Sequence, residues 1–311
     1  MYGIFVRDFL VEGGTTYSIN LVRNDGGLQT TATAAKRSHP KGILVQMPNI
    51  SASGSAVYYL DGDASLRFLR PDGKQGAVKT LPVDASSAAV FAVSPDDKRI
   101  AVAIITYPFP AKTRIYVEDL YGTANHLELF SSSTALEYPV GWHQGQIVLG
   151  VGLNAYPQNA YEGFAYNYSG YHVASASTGA RISTVCAAGA TFGPPVPAGA
   201  TCLSGTTLLA EDWAGGTHSV PTPNQCTSGV LSPNGSLVAE YCSTTEGVTL
   251  VTASGGITST AYASTPIGWI DPLHVVLQAQ SGQLSFLNVQ LGSVTAIQAG
   301  GFFAGVVPGS L

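Results

Sequence analysis

Short runs rich in β-branched and aromatic residues alternate with Gly, Asn-Gly, Asp-Gly and Pro punctuation along the whole chain. The clearest runs are Val57–Leu60, Leu66–Leu69, Ile100–Ile105, Arg114–Val117, Ile147–Leu149, Val248–Val251, Val275–Leu277 and Leu284–Leu287. No segment keeps an i, i+3, i+4, i+7 apolar pattern through three helical turns. The pattern predicts many short strands joined by tight turns.

Two phrases recur. Phe91-Ala-Val-Ser-Pro-Asp-Asp-Lys-Arg-Ile-Ala-Val-Ala103 returns as Gly229-Val-Leu-Ser-Pro-Asn-Gly-Ser-Leu-Val-Ala239, each an apolar strand, a Ser-Pro-Asx turn and a second apolar strand. Pro139-Val-Gly-Trp-His143 returns as Pro266-Ile-Gly-Trp-Ile-Asp271, followed in both places by an apolar strand. The strands group into similar four-stranded units at about 42–83, 88–131, 138–186, 190–225, 227–263 and 266–299. The stretch from Phe192 to Gln225 is the least regular, being rich in proline. The ends supply one more unit: Phe302–Gly309 reads as an opening strand, and Gly3–Phe9, Tyr17–Val22 and Gln29–Ala34 as the three that follow it, so that 1–36 joins 301–311. Pairing the C-terminal strand with the N-terminal ones closes a ring and leaves no long free sheet edge. The expected fold is all-β, a single β-propeller domain over 1–311 with seven blades, or six if the Pro-rich stretch is an insertion.

Composition places this ring. Apolar residues make up 45% of the 311, enough for a large core. Charged residues are only 11%, against roughly 25% in an average soluble protein. Ser, Thr, Gly and Ala fill the surface instead, a composition common in secreted proteins. The net charge of −5 lacks the basic footprint of a nucleic-acid binder. No apolar stretch reaches the roughly 18–20 residues of a membrane span. The opening Met1-Tyr-Gly-Ile-Phe-Val-Arg-Asp8 reads as a strand, without the basic head and apolar centre of a signal peptide. The chain is thus intracellular, or a mature or truncated form that lacks its export signal.

The cysteines favour the second option. A hairpin turn centred on Asn234 would set Cys226 directly opposite Cys242, a placement suited to a disulfide. Cys186 and Cys202 flank the Gly/Pro-rich loop 187–201, which a second bridge would staple. Zinc is the rival reading, but neither a Cys-x-x-Cys nor a nearby His pair supports it. Disulfides Cys186–Cys202 and Cys226–Cys242 imply an oxidising, extracellular or cell-surface location. Three Asn-x-Ser triplets, at Asn49, Asn167 and Asn234, carry little weight in a Ser-rich chain.

The Ser94–Val102 phrase resembles the repeat of TolB-like, WD-like β-propellers, which carry Ser-Pro-Asp-Gly-x-x-Ile/Leu-Ala between the two inner strands of a blade. Ser232–Ala239 matches well, Ser51–Tyr58 loosely, and the units around Gly141 and Gly268 have diverged. The resemblance implies blades around a central channel, with ligands or partners on one face, and a closer likeness to secreted bacterial propellers. It implies an architecture and no particular activity.

Catalytic signatures are weak. No Gly-x-Ser-x-Gly elbow precedes a helix, and His39, His126, His143, His172, His218 and His274 are scattered. Asp61-Gly-Asp63 and Asp96-Asp97 offer oxygen ligands that calcium would accept, yet Asp is the ordinary residue of such turns. Glu211 and Asp212 are neighbours on one strand and point to opposite faces, which does not suit a glycosidase pair. No cofactor, metal or catalytic residue is expected. The strongest candidate is aromatic: Tyr156, Tyr161, Phe164, Tyr166, Tyr168 and Tyr171 crowd the stretch 154–171, where other blades turn tightly. Tyr107 and Phe109 occupy the equivalent place in the preceding blade. Tyrosine with Asn and Gly supplies flat faces and amide hydrogen bonds suited to protein or glycan partners. The expected function is non-catalytic recognition or scaffolding. One alternative is a self-assembling filament or surface-layer subunit, associating through the aromatic insertion or the terminal strand. The other is a lyase or hydrolase at the channel mouth.

Overall fold

In the computed structural model the described residues are 1–8, 14–38, 50–108, 110–152, 168–187, 191–221, 226–242, 247–252, 256–259 and 262–311. Among them there is no helix, and so none long and apolar enough to cross a membrane. The strands form seven four-stranded antiparallel sheets whose inner strands follow one another around a ring, a seven-bladed propeller. Blade 1 runs from its inner strand outward as Phe302–Val307, Tyr2–Arg7, Thr16–Arg23 and Leu28–Ala35. The ring therefore closes as expected, Phe302–Val307 pairing antiparallel with Tyr2–Arg7.

Blades 2 to 4 follow as Ile50–Ala52, Val57–Asp61, Ser65–Leu69 and Gln75–Thr80; then Ser87–Val93, Arg99–Thr106, Lys112–Asp119 and Leu127–Ser132; then Leu136–His143, Gln146–Gly152, Tyr171–Ala174 and Arg181–Val185. Blades 5 to 7 are Thr191–Val196, Gly199–Ser204, Thr207–Glu211 and Thr217–Ser219; Cys226–Leu231, Leu237–Cys242, Gly247–Thr252 and Ile257–Ser259; and Ser264–Asp271, His274–Ala279, Leu284–Asn288 and Val294–Ala296. The Pro-rich stretch is thus a full blade, and the alternative of six blades is set aside.

Both faces of a blade pack against neighbours, so consecutive positions of an inner strand can be buried together. Ser87–Val93 is buried throughout, whereas outer strands such as Gln75–Thr80 alternate with solvent. Burial is divided among clusters between adjacent blades. Ala89, Phe91 and Val102 of blade 3 pack on Tyr58 and Leu66 of blade 2, and Ile4, Ile19 and Leu21 of blade 1 on Val57 and Tyr59 of blade 2.

The Ser-Pro-Asx turns share one geometry. Ser94 and Ser232 each take a main-chain bond to the residue five on and use the side-chain oxygen to accept that residue's N–H, at 2.9 Å from Arg99 and 3.0 Å from Leu237. Each hydroxyl also donates to its Asx side chain, Asp96 or Asn234. The next residue has φ +59° at Asp97 and +72° at Gly235. The left-handed backbone explains the glycine of the second copy.

Two details differ from expectation. The hairpin of blade 6 pairs Leu231 with Val238 and Gly229 with Glu240, which centres its turn between Asn234 and Gly235 rather than on Asn234. A register irregularity between Cys226 and Ser228 then brings Cys226 opposite Cys242. The side chains of these two cysteines lie outside the described residues. The stretch 187–201, read as a loop, instead holds the inner strand Thr191–Val196 and the start of Gly199–Ser204. Its glycines and prolines serve a short, irregular hairpin.

Candidate functional site

The antiparallel order gives the ring two unlike rims. One carries the hairpins between first and second strands, including both Ser-Pro-Asx turns. The other carries the connections between second and third strands and the links from blade to blade. On this second rim most connections are short, as at 205–206 and 280–283, but that of blade 4 extends from 153 to 170.

The aromatic candidates divide here. Phe109, Tyr156, Tyr161, Phe164 and Tyr166 lie outside the described residues. Tyr107, Tyr168 and Tyr171 are buried in one cluster with Tyr138 and Trp213. The Tyr168 ring meets Tyr138 edge-on at 5.7 Å and Tyr171 at 5.2 Å, and Tyr171 meets Trp213 at 5.6 Å. Gly150 leaves room for Tyr168, since a Cβ there would fall 2.9 Å from the ring. These three tyrosines are core of blades 3 to 5, because both blade faces are covered; Tyr168 also touches the central channel.

Every described acidic turn candidate is engaged in holding blades or turns. Asp97 accepts from Ser55 Oγ at 2.7 Å and from Tyr58 Oη at 2.8 Å, both in blade 2. Asp61 accepts the Ala35 N–H at 2.8 Å, and Asp63 accepts the Ser38 N–H at 2.8 Å, so the Asp61-Gly-Asp63 turn grips blade 1 and the chain leaving it. Asp212 closes its own turn through the N–H groups of Ala214 and Gly216.

Glu211 has a different role. Its carboxylate accepts the Cys186 N–H at 2.6 Å, beside the disulfide that Cys186 forms with Cys202, whose Cα atoms are 5.4 Å apart. The bridge joins the end of blade 4 to the second strand of blade 5. The two sulfurs and a Glu211 oxygen lie within 4.8 Å of one another, a grouping that the sequence conceals because the three residues belong to three different strands or strand ends.

The described histidines are likewise paired with blade partners or dispersed. His126 lies 2.9 Å from Glu118 and 3.0 Å from Glu128, and these carboxylates hold its pKa above the ordinary value. Glu118 also receives Lys79 of blade 2 at 2.5 Å in a buried ion pair. His274 packs its Nδ1 against Asp271 at 2.9 Å, and His172 faces the buried Glu137 at 3.3 Å. His218 is exposed on an outer strand.

Two concave regions stand out among the described residues. The central channel holds a cavity of about 320 Å³ lined by inner strands, including Phe91, Trp142, Trp269 and Phe303 with Pro95 and Pro139. Among its described lining residues no side chain is a carboxylate, histidine or cysteine. Leu311 enters it beside Gly141, where a Cβ would fall 2.4 Å from the leucine, and donates its N–H to Trp142 O at 2.8 Å. The second region, a cleft of about 660 Å³, lies between blades 6 and 7 and is lined by Tyr241, Ser264, Thr265, Gln278 and Gln280 among others. It is not legible in the sequence, because residues of two different blades line it.

One ionisable group stands apart. Glu240 of blade 6 is fully buried, and neither carboxylate oxygen has a hydrogen-bond partner among the described residues. Burial pushes its pKa up to about 7.

No protein-family model matches the chain, and no curated protein matches its sequence. Solved structures do. An oligogalacturonate lyase in complex with manganese is similar over 94% of this chain and 89% of that one, at 11% identity and TM-score 0.52. Sqt1 from Saccharomyces cerevisiae is similar over 92% and 81%, at 10% identity and TM-score 0.51. BamB from Moraxella catarrhalis is similar over 94% and 81%, at 15% identity and TM-score 0.48. At these identities the likeness is one of fold.

Proposed function

We propose that this propeller works by binding, as an extracellular or cell-surface recognition module of the TolB-like, WD-like kind, with a protein as its partner. The observation that carries this reading is the second rim, where the 153–170 connection of blade 4 departs from the short connections of its neighbours. A rigid ring that varies one loop is suited to recognition, because the scaffold positions the loop while the loop supplies contacts. Tyr156, Tyr161, Phe164 and Tyr166, together with Phe109, are the aromatic residues assigned to the contact. Tyr107, Tyr168 and Tyr171 serve as the buried footing. The Cys186–Cys202 bridge supports the oxidising location. The lyase or hydrolase reading would need ionisable groups converging on the channel, and the side chains of the described lining are mainly apolar, with Ser51, Ser310 and Tyr168 as hydroxyl bearers.

The test is affinity enrichment from the envelope and secreted fractions of the native host, comparing the wild-type chain with a Tyr156→Ala, Tyr161→Ala, Tyr166→Ala variant. A partner held by the wild type and lost by the folded variant is expected. Identical enrichment by both would remove the connection from consideration.

A further inference from the structure

We infer that the cleft between blades 6 and 7 is a binding site for a neutral saccharide. The repeated Pro-x-Gly-Trp phrase aligns the inner strands of blades 4 and 7, Pro139 with Pro266 and Trp142 with Trp269. Just before the proline, blade 4 has Leu136, Glu137 and Tyr138, all buried. Leu136 and Tyr138 pack into the core between blades, and Glu137 is paired with Arg181 and His172. At the same three positions blade 7 has Ala263, Ser264 and Thr265. At this rim blade 7 thus has small side chains where blade 4 has bulky ones, and Ala263, Ser264 and Thr265 all line the cleft of about 660 Å³. This lies within the roughly 300–1,000 Å³ of small-ligand sites.

The lining fits one class of ligand. Tyr241 enters from blade 6. Ala239, two residues before it on the same strand, packs on Trp269 and Val275 of blade 7, so strand alternation turns Tyr241 to that side as well. Ser264 pairs with Ala279 and Thr265 with Gln278 across the first hairpin of blade 7, and Gln280 begins its next turn. The side chains of Tyr241, Ser264, Thr265, Gln278 and Gln280 form no hydrogen bond among the described residues, so their hydroxyls and amides are uncommitted. None of the described lining residues is charged. A charged ligand would lose water without gaining a counter-charge. A neutral sugar ring presents hydroxyl edges to amides and hydroxyls, and C–H faces to an aromatic ring. The named lining residues belong to blades 6 and 7 and not to blade 4, so failure of this test would leave the partner reading standing.

Titration of the oxidised, full chain with neutral gluco-, galacto- and manno-oligosaccharides, followed by ¹⁵N chemical shifts and calorimetry, tests the assignment. At least one series should bind saturably, shifting Tyr241 and Gln280, while oligogalacturonate of equal length binds far more weakly. Tyr241→Ala should weaken binding about tenfold and Gln280→Ala, at an exposed position, by about fivefold, the loss of one hydrogen bond. If Tyr241→Ala misfolds, Gln280→Ala and Ala263→Leu, which restores the bulk found in blade 4, carry the test. Comparing free oligosaccharide with the same glycan on a glycoprotein identifies the source of the ligand. Saturation by none of the neutral series, equal binding of the acidic one, or unchanged affinity in the folded variants would overturn the assignment.

Discussion

Trp142 donates its indole N–H to the main-chain carbonyl of Ala92 at 3.0 Å, across the boundary between blades 4 and 3. Trp269 repeats the bond to Val230 at 2.9 Å, from blade 7 to blade 6. Both tryptophans follow a glycine that lets another segment approach closely: a Cβ on Gly268 would fall 2.4 Å from the Phe303 ring. The shared Pro-x-Gly-Trp phrase is thus a clamp on the inner strand of the preceding blade.

Replacing Trp142 or Trp269 by Phe keeps most of the packing but leaves a buried carbonyl without a donor. Each change should cost about 1–2 kcal/mol, and Trp→Ala about 3–5 kcal/mol. Urea unfolding of the single and double variants measures this. The blade boundaries are distinct, so the two Phe effects should add. A Phe variant as stable as the wild type would show that the indole bond contributes nothing.

Glu240 makes stability fall as pH rises. Its folded-state pKa of about 7 lies above the ordinary value of 4.5, so the folded chain holds this proton more tightly than the unfolded chain does. The stabilisation is fully present below about 4.5 and is lost by pH values above about 7. At about 1.4 kcal/mol per pKa unit, the loss is about 3 kcal/mol. Gly229 sits opposite, where a Cβ would fall 3.2 Å from Glu240 Cγ and 2.9 Å from Leu208 of blade 5. Glu240→Gln should abolish this part of the pH dependence, leaving the variant more stable than wild type at pH 8. Parallel stability profiles from pH 4.5 to 8 for the two proteins would refute the assignment.

Reduction of the Cys186–Cys202 bridge should lower stability by about 3 kcal/mol, the chain-entropy value for a loop of this length. Cys186→Ser with Cys202→Ser should behave like the reduced protein and lose its response to dithiothreitol at this bridge. The Cys186 N–H can still reach Glu211, because that bond uses the main chain. Unfolding midpoints with and without reductant provide the measurement; equal midpoints for wild type and double variant would contradict it.

Strand periodicity and turn chemistry were legible in the residues themselves. The Ser-Pro-Asx hairpins, the split blade of Phe302–Val307 with Tyr2–Arg7, and the all-β ring follow from local rules, because each turn and each apolar run acts within a few residues. The aromatic stretch shows where local reasoning stops. In a two-layered sheet, alternation separates core from solvent, but a propeller blade is covered on both faces. Tyr168 and Tyr171 are consequently core, although their neighbours in sequence suggested a surface patch. The same reason hides Glu240, whose environment is set by blade 5, and Glu211, which meets Cys186 from another blade. The cleft between blades 6 and 7 is lined by three small residues of one blade and a tyrosine of another. Sequence alone determined the strands, their turns and their closure into a ring. Tertiary structure decided which side chains the blades cover and which they leave open, because each blade takes its inside and outside from its neighbours.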